Sequence, residues 1–333
     1  MTTLAPIRLD RNEGARPEAS LIAAALETGS PLFRDYPDAA PLEAALAKRF
    51  FVDPERVVVT PGADGALERA CRLLLEPGVE LLMTNPTFEM FPMFATMTGA
   101  VPVQVPWLGR FPREALIAGI GDATGVIALV SPNNPTGAVL EIDDLVAIAA
   151  AAPSALVIFD HVYRDYADED LTLAALELPN VVVVHTFSKA WGLAGCRVGY
   201  AIARPLVAYR MREAGPPYSV AGPSLALALA ALERGDASVR DHVARVREER
   251  DDLRQRFVAW GVECAPSEGN FLFPSFGPRA QAVQKSLAGD GILVRSFPGN
   301  PAIADSLRIS LPADPAIYET LLRALARALG GPR

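Results

Sequence analysis

The sequence contains little cysteine and little histidine, and it has no long apolar run. Its three cysteines, Cys71, Cys196 and Cys264, lie far apart, so they lack the spacing of a metal site or of a disulfide framework. Three histidines are too few for a histidine-rich metal site. Apolar runs such as residues 181–184 are far shorter than the ~20 residues of a membrane-spanning helix. We therefore expect no metal, no membrane segment and a reducing, cytoplasmic location.

The charge balance is acidic, since 31 lysines and arginines stand against 39 aspartates and glutamates. The formal net charge of -8 argues against nucleic acid as the main partner. The first residues lack a basic stretch followed by an apolar core, so we expect no secretory signal peptide. Hydrophobic residues make up 50% of the 333 residues, which suits a chain that folds into two compact lobes.

Short β-branched runs alternate with helical patterns over the first two thirds of the chain. Continuous apolar strands between helices are typical of a mostly parallel sheet that is covered on both faces. The sequence therefore predicts an α/β fold with a parallel sheet flanked by helices. The predicted strands are residues 56–60, 79–84, 101–105, 126–130, 155–159, 181–184 and 198–202.

The pattern changes after Ser219, where helices and shorter strands indicate a smaller α+β lobe. We predict an N-terminal arm at 1–35 that packs with the small domain. A large cofactor-binding domain at 36–234 and a small C-terminal domain at 235–333 complete the predicted division.

Polar residues follow two of the predicted strands in an unusual way. Residues 61–65 (Pro-Gly-Ala-Asp-Gly) lead directly into a helix, which suits either a phosphate cradle or an ordinary turn. Asn133 and Asn134 follow the strand at 126–130, between two prolines. Ligands of open parallel sheets bind at the carboxyl ends of the strands, so we expect these groups to lie near a ligand.

Two further predicted strands are followed by residues with charged or nucleophilic side chains. Asp160 follows the strand at 155–159, and a buried aspartate there would need a cation as its partner. Lys189 follows the strand at 181–184 among small and apolar residues, with Thr186 and Ser188 before it and Arg197 after it. A lysine nucleophile, an aspartate for a pyridinium nitrogen and a phosphate anchor are the parts of a pyridoxal phosphate site.

With these motifs the sequence resembles the fold-type I pyridoxal phosphate enzymes, in particular the class I/II aminotransferases. The histidinol-phosphate aminotransferase-like branch is the most similar one. The resemblance runs over nearly the whole chain, from the segment 9–13 (Leu-Asp-Arg-Asn-Glu) to residues 307–309. Its most specific motifs are Asn-Asn-Pro-Thr-Gly at 133–137 and Ser-Lys-Ala-Trp-Gly-Leu-Ala-Gly-Cys-Arg at 188–197.

The resemblance implies a role for each of these residues in cofactor chemistry. Lys189 would form a Schiff base with the cofactor and carry the transferred proton. Asp160 would pair with the pyridine nitrogen, while Asn134 and Tyr163 would hydrogen-bond the ring hydroxyl. Phe88 would stack on the ring. The residues that meet the cofactor phosphate would be Gly62, Ala63, Asp64, Thr186, Ser188 and Arg197.

The resemblance also implies how the substrate and a second subunit take part. Arg308 would grip the substrate carboxylate, and Arg295 would make a second anionic contact. Asn134 would contribute to the substrate site, and Trp191 would either line the same pocket or pack the lysine segment. Tyr36 would reach the phosphate in the neighbouring subunit, which requires a homodimer with shared active sites.

The resemblance predicts a transaminase of amino-acid metabolism that works by a ping-pong mechanism on an L-amino acid and a 2-oxo acid. Histidinol-phosphate aminotransferases place a tyrosine in a longer arm, whereas no tyrosine precedes Tyr36 here. A hydrophobic or aromatic amino acid is therefore the favoured substrate, with histidinol phosphate as the alternative. The aromatic residues that could form the side-chain pocket are Phe88, Trp191, Tyr218 and Phe297.

Other activities share part of this pattern. A pyridoxal phosphate decarboxylase would use the same Lys189 and Asp160. A ligand-sensing regulator is disfavoured, because the aminotransferase pattern begins at residue 9 of an acidic chain. His161 and His185 have no role that follows from the residues, and we expect them to be structural histidines with satisfied hydrogen bonds.

Overall fold

The computed structural model describes residues 5–27 and 29–330, so the outermost residues of the predicted arm and of the predicted small domain lie outside the described residues. In chain order, the strands in these ranges are β1 (Ile7–Leu9), β2 (Val57–Pro61), β3 (Glu80–Asn85), β4 (Val101–Pro106), β5 (Thr124–Val130), β6 (Leu156–Asp160), β7 (Val181–Thr186), β8 (Val198–Ile202), β9 (Phe271–Leu272), β10 (Ile292–Ser296) and β11 (Leu307–Ser310).

The α-helices of the same ranges surround these strands. In chain order they are α1 (Ala19–Ala25), α2 (Pro31–Arg34), α3 (Ala40–Phe50), α4 (Gly62–Arg72), α5 (Met90–Thr98), α6 (Arg113–Ala118), α7 (Ile142–Ala151), α8 (Thr172–Ala175), α9 (Pro205–Glu213), α10 (Gly222–Arg234), α11 (Asp236–Ala259), α12 (Ala280–Gly289) and α13 (Pro315–Ala328).

Seven strands form the large sheet, in the order β2-β8-β7-β6-β5-β3-β4. β8 is antiparallel to both of its neighbours, and the other strand pairs are parallel. Along β5, Ile127 and Leu129 pack in one apolar core and Ala128 packs in a second core, because successive side chains point to opposite faces. Both faces of the sheet are therefore covered, and the predicted α/β fold is confirmed.

Four strands form the second sheet, in the order β1-β10-β11-β9. β1 is parallel to β10, with Ile7 opposite Ile292, while the other two pairs are antiparallel. The N-terminal segment thus shares a sheet with the C-terminal third of the chain. The bounds given above for the arm and the two domains stay a prediction.

The strands of the large sheet lie where the sequence predicted them, whereas several helices were not predicted. Two of these, α3 and α9, carry a proline in their first turn. Proline is tolerated there, because the N–H that it lacks has no partner within the helix at that position. These two prolines therefore lie in the first turns of helices.

The longest helix, α11, has 24 residues and is rich in charged side chains. Across residues 5–27 and 29–330, helices that combine the length and the apolarity needed to cross a bilayer are absent.

The segment that follows β1 lies directly against the loop that follows β7. A Cβ atom on Gly14 would overlap the carbonyl oxygen of Lys189, and a Cβ atom on Gly192 would overlap the carbonyl oxygen of Ala15. Gly192 also has a φ of 69°, which favours glycine. The two backbones can approach this closely only because neither glycine has a side chain. This contact fixes the N-terminal segment against the loop of Lys189.

We expect Gly14→Ala to push the N-terminal segment away from the Lys189 loop, because the new methyl group has no room. Overpacking of this kind costs about 1–3 kcal/mol of unfolding free energy. Thermal unfolding of the variant should show the loss, together with lower activity. Gly121→Ala is the matched control, since its Cβ would meet no atom within 4 Å. Equal stability of the two variants would contradict the close contact.

Candidate active site

The carboxyl ends of β5, β6 and β7 meet at a cavity of about 240 Å³, which we call the cofactor cavity. Open parallel sheets bind their ligands at this edge. Of the residues predicted to hold the cofactor, only Gly62 and Tyr36 are missing from its wall. Those that the cavity brings together are Ala63, Asp64, Phe88, Asn134, Asp160, Tyr163, Thr186, Ser188, Lys189 and Arg197.

One end of the cofactor cavity is suited to an anion. Helix α4 begins there at Gly62, and no side chain of the described residues caps its first N–H groups. The Arg197 guanidinium lies over Gly62, where a Cβ would come within 2.5 Å of it. Arg197 also contacts Ser188 Oγ at 3.4 Å and Asp64 at 3.0 Å, and the Ser188 N–H donates to Thr186 Oγ1 at 3.0 Å. The Gly62 N–H donates to the Arg197 carbonyl oxygen at 3.0 Å, and the next N–H groups of the first turn, two hydroxyls and a guanidinium suit a phosphate dianion.

Asp160 ends β6 at the other side of the cofactor cavity and is 3% exposed. Its carboxylate accepts a hydrogen bond from the Val162 N–H at 3.2 Å, and it forms no ion pair with any described residue. Burial raises the pKa of Asp160 to about 7. A protonated ring nitrogen would give this carboxylate the cation that it lacks.

Lys189 and Tyr163 face each other in the cofactor cavity. Lys189 Nζ lies 5.5 Å from the centre of the Tyr163 ring and donates to the carbonyl oxygen of Arg11 at 3.4 Å. Tyr163 is buried, and its hydroxyl accepts a hydrogen bond from Asn12 Nδ2 at 2.9 Å. The amine and the phenol therefore reach the same space.

Asn12 is a site residue for which no role was predicted. It is buried, it has a φ of 56°, and its Oδ1 accepts a hydrogen bond from Ser310 Oγ at 2.7 Å. Asn270 Nδ2 donates to the Asn12 carbonyl oxygen at 3.2 Å. These bonds orient the amide that holds Tyr163. The only signal in the sequence was the place of Asn12 in the first motif of the resemblance.

A second cavity of about 240 Å³, which we call the substrate cavity, adjoins the first one. The two share Phe88, Asn134, Tyr163 and Lys189. Lys189 therefore stands where a substrate bound in one cavity meets a cofactor bound in the other.

Arg308 is the buried cation of the substrate cavity and is 7% exposed. Its guanidinium donates to Asn134 Oδ1 at 2.6 Å and to the Asp10 carbonyl oxygen at 2.7 Å. No described carboxylate pairs with it, and its buried Nε has no partner among the described residues. A buried guanidinium in a cavity wall that no described carboxylate neutralises suits a substrate carboxylate.

Arg295 and Phe297 also line the substrate cavity, so the structure brings Arg295 to its predicted neighbourhood. Trp191 lines neither cavity. Its ring packs against Phe187 at 5.5 Å, and the Arg49 guanidinium lies 5.3 Å from its centre. Trp191 was predicted either to line the substrate pocket or to pack the lysine segment. Its ring packs against the lysine segment.

Tyr36 and Tyr218 lie outside both cavities. Tyr36 is 83% exposed and stacks on Tyr218 with 4.8 Å between the ring centres. Of the four aromatic residues predicted to form the side-chain pocket, only Phe88 and Phe297 line the substrate cavity. Tyr218, like Trp191, is not brought to it.

Two buried histidines next to the site are structural, as expected. His161 Nδ1 contacts the Ser131 carbonyl oxygen, and its Nε2 accepts a hydrogen bond from the Leu171 N–H at 3.2 Å. His185 Nε2 contacts Thr172 Oγ1 at 3.2 Å, and burial lowers the pKa of His185 well below its usual value. Both rings are thus held by hydrogen bonds away from the cavities.

The neighbouring asparagines of the 133–137 motif have different roles. Asn133 is fully buried and bonds to Thr87 Oγ1, to the Pro86 carbonyl oxygen and to Thr136 Oγ1. Asn134 faces the cavities and Arg308. One amide fixes the loop, and the other one serves the site.

Together these residues fit pyridoxal phosphate. The anion end matches its phosphate, the unpaired buried carboxylate of Asp160 matches its ring nitrogen, and Lys189 is the amine that can reach its aldehyde. No other lysine lines either cavity among the described residues.

Comparisons with known proteins agree with this geometry. The family model for aminotransferase class I and II matches residues 13–325. An aromatic amino acid aminotransferase of Cutibacterium acnes is 31% identical over 98% of this chain and 93% of its own length. A histidinol-phosphate aminotransferase of Akkermansia muciniphila is 36% identical over 83% of this chain and 77% of its own length.

A solved structure of high similarity is the histidinol-phosphate aminotransferase from Sinorhizobium meliloti in complex with pyridoxal-5'-phosphate. It is 27% identical to this chain, with a TM-score of 0.90, and the match covers 98% of this chain and 91% of the other one.

We expect Asp160 to make the cofactor-free protein less stable as the pH rises. Its pKa, raised from 3.8 to about 7, means that the folded chain keeps a proton that the unfolded chain has released in this window. The free energy of unfolding should then fall by about 4 kcal/mol between pH 4 and 8. Asp160→Asn should remove this contribution, which urea unfolding of both proteins across the pH range would measure.

Asp122→Asn, at an exposed position, is the control for the change of residue type. A stability difference between wild type and Asp160→Asn that does not vary with pH would contradict the assignment.

Proposed function

The chain belongs to the aminotransferase class I and II family and is a pyridoxal phosphate-dependent aminotransferase, and we propose that its amino donor is an L-amino acid with an apolar or aromatic side chain. The observation that carries this proposal is the substrate cavity itself. It offers one buried guanidinium that pairs with no described carboxylate, Arg308, beside the rings of Phe88 and Phe297.

The residues of the cofactor cavity would hold the cofactor at three points. The first turn of α4, Thr186, Ser188 and Arg197 would bind its phosphate. Asp160 would keep a proton on the ring nitrogen, while Asn134 and Tyr163 would bind the ring hydroxyl. Bound pyridoxal phosphate supplies an aldehyde that accepts the amine and a ring that withdraws electrons from the substrate Cα.

Lys189 is the group that moves protons. Its Nζ lies at the boundary between the two cavities, where it can take a proton from one carbon atom and return it to another. Asn12 holds the Tyr163 hydroxyl beside it and thereby fixes the position of the phenol. Arg308 orients the substrate through its carboxylate, so that Cα faces the lysine.

Histidinol phosphate is the second candidate substrate. Arg295 lies in the substrate cavity as a second cation, and the Akkermansia muciniphila relative carries that activity in its name. A phosphate dianion would need both arginines, whereas a single carboxylate needs only Arg308. Arg308 is the only one of the two that has no carboxylate partner among the described residues.

We also propose that the protein is a homodimer. Tyr36 is predicted to contact the cofactor phosphate, yet it is exposed and lies outside the cofactor cavity of its own chain. A second copy could bring its own Tyr36 to this cavity, and each site would then be completed by its neighbour.

A cytoplasmic location is the third part of the proposal. The three cysteines are free thiols in the described part of the chain. Burial raises the pKa of Cys71 to about 12 and that of Cys264 to about 11, so both thiols are unreactive.

We expect an aromatic L-amino acid, mixed with the holoenzyme alone, to convert the cofactor into its amine form and to yield the matching 2-oxo acid. Lys189→Ala should slow this half-reaction by about 10²–10⁴-fold, because the general base is lost. Lys48→Ala, at an exposed lysine, is the control. Absorbance and product analysis would measure both, and release of CO₂ in place of the 2-oxo acid would indicate a decarboxylase.

The dimer can be tested by mixing two defective variants. Lys189→Ala lacks the base and Tyr36→Ala lacks the shared tyrosine, so a mixed dimer would contain one complete site. We expect the mixture to be more active than the average of the two variants. Lys189→Ala mixed with the double variant is the control, since no complete site can form. Exchange of subunits without recovery of activity would contradict the shared site.

A further inference from the structure

Two arginines stand side by side in the substrate cavity. Arg295 of β10 and Arg308 of β11 are partners in the antiparallel register, and both side chains line the cavity. Adjacent guanidinium groups could bind two anionic groups of one substrate. The number of these arginines that lack a carboxylate partner therefore determines how many negative charges of a substrate the cavity can pair.

Only one of the two arginines lacks a carboxylate partner among the described residues. Arg295 Nη2 forms an ion pair with Glu89 Oε1 at 2.6 Å, and Glu89 lines the same cavity. Within the described residues, Arg308 bonds only to two neutral oxygens, Asn134 Oδ1 and the backbone carbonyl oxygen of Asp10. Glu89 thus cancels the charge of Arg295 and leaves that of Arg308 uncancelled.

The other acidic residue of the cavity does not change this balance. Asp10 pairs with Arg8 at 3.4 Å and lies 4.0 Å from Arg11, so its charge is directed to those two arginines. The remaining cations of the cavity are Lys189, which serves the cofactor, and Arg11, whose side chain is 58% exposed and whose charge partner is Asp10. Arg308 is then the one buried guanidinium of the cavity that no described carboxylate neutralises, and it is left for one substrate carboxylate.

We propose that Glu89 is a specificity-determining residue, which restricts the cavity to substrates that bring a single negative charge to the two arginines. A second carboxylate, or a phosphate dianion in place of the carboxylate, would have to displace Glu89 from Arg295. An uncharged side chain meets no such competition, and the rings of Phe88 and Phe297 beside it are apolar. This inference rests on the proposed function, because it concerns the donors of the same reaction.

The ion pair can be removed without loss of the fold. The side chains of Arg295 and Glu89 are 45% and 60% exposed, and exposed pairs of this kind contribute little to stability. The pair links the start of α5 to the small sheet. A second link remains when it is gone, since Asn300 Nδ2 donates to Asn85 Oδ1 at 2.8 Å.

The test compares half-reactions of the holoenzyme with three donors, namely phenylalanine, glutamate and histidinol phosphate. We expect wild type to favour phenylalanine. In Glu89→Gln, the ratio of kcat/KM for glutamate or histidinol phosphate to that for phenylalanine should rise by about twofold to fivefold, because the substrate no longer has to displace Glu89 from Arg295. The double variant Glu89→Gln/Arg295→Gln should lose this gain.

Glu114→Gln is the matched control. Glu114 pairs with its neighbour Arg113 at 3.2 Å and lines neither cavity, so its removal changes the net charge but not the site. Its donor ratios should equal those of wild type.

An unchanged or lower ratio in Glu89→Gln, or a gain that persists in the double variant, would overturn the role of Glu89. Activity of wild type on phenylalanine would in that case leave the proposed function standing. Failure of every donor with wild type would instead refute the proposed function.

Discussion

An ionised carboxylate buried without a cation costs several kcal/mol, and Asp160, at the end of β6, forms no ion pair with any described residue. Burial therefore favours its protonated form, and its ionised form is stabilised by a ligand that carries a positive charge to this point. Such a ligand must be held at its far end as well, and the uncapped start of α4 with Arg197 provides that hold. The parallel strands fix the distance between the start of α4 and Asp160. This distance therefore determines which ligands the cofactor cavity can accept.

The second half of the site comes from a different sheet. Arg308 and Arg295 belong to the small sheet, whereas Lys189, Asp160 and Asn134 follow strands of the large one. The N-terminal segment joins the two, because Asn12 bonds both to Tyr163 and to Ser310. The residues proposed for chemistry and those proposed for substrate binding thus lie on separate sheets that share one short connecting segment.

The large sheet and the groups that follow its strands could be predicted from the sequence, because a buried strand has a local apolar signature and the carboxyl ends of parallel strands meet at one edge. Lys189 and Asp160 are of this kind. Contacts between distant segments have no local signature. The pair of Glu89 with Arg295 and the bond of Asn12 to Ser310 each join residues more than two hundred positions apart. Trp191 shows a further limit, since sequence proximity to Lys189 did not tell which way the indole packs.

The pairing of β1 with β10 has a consequence for the order in which the protein is made. Ile7 leaves the ribosome long before Ile292, so the first strand has no partner while most of the chain is being synthesised. All strands of the large sheet are available much earlier, and domains generally fold as units during synthesis. A nascent chain that stops before β10 could therefore assemble the start of α4 and the buried Asp160, yet it would contain neither Arg295 nor Arg308.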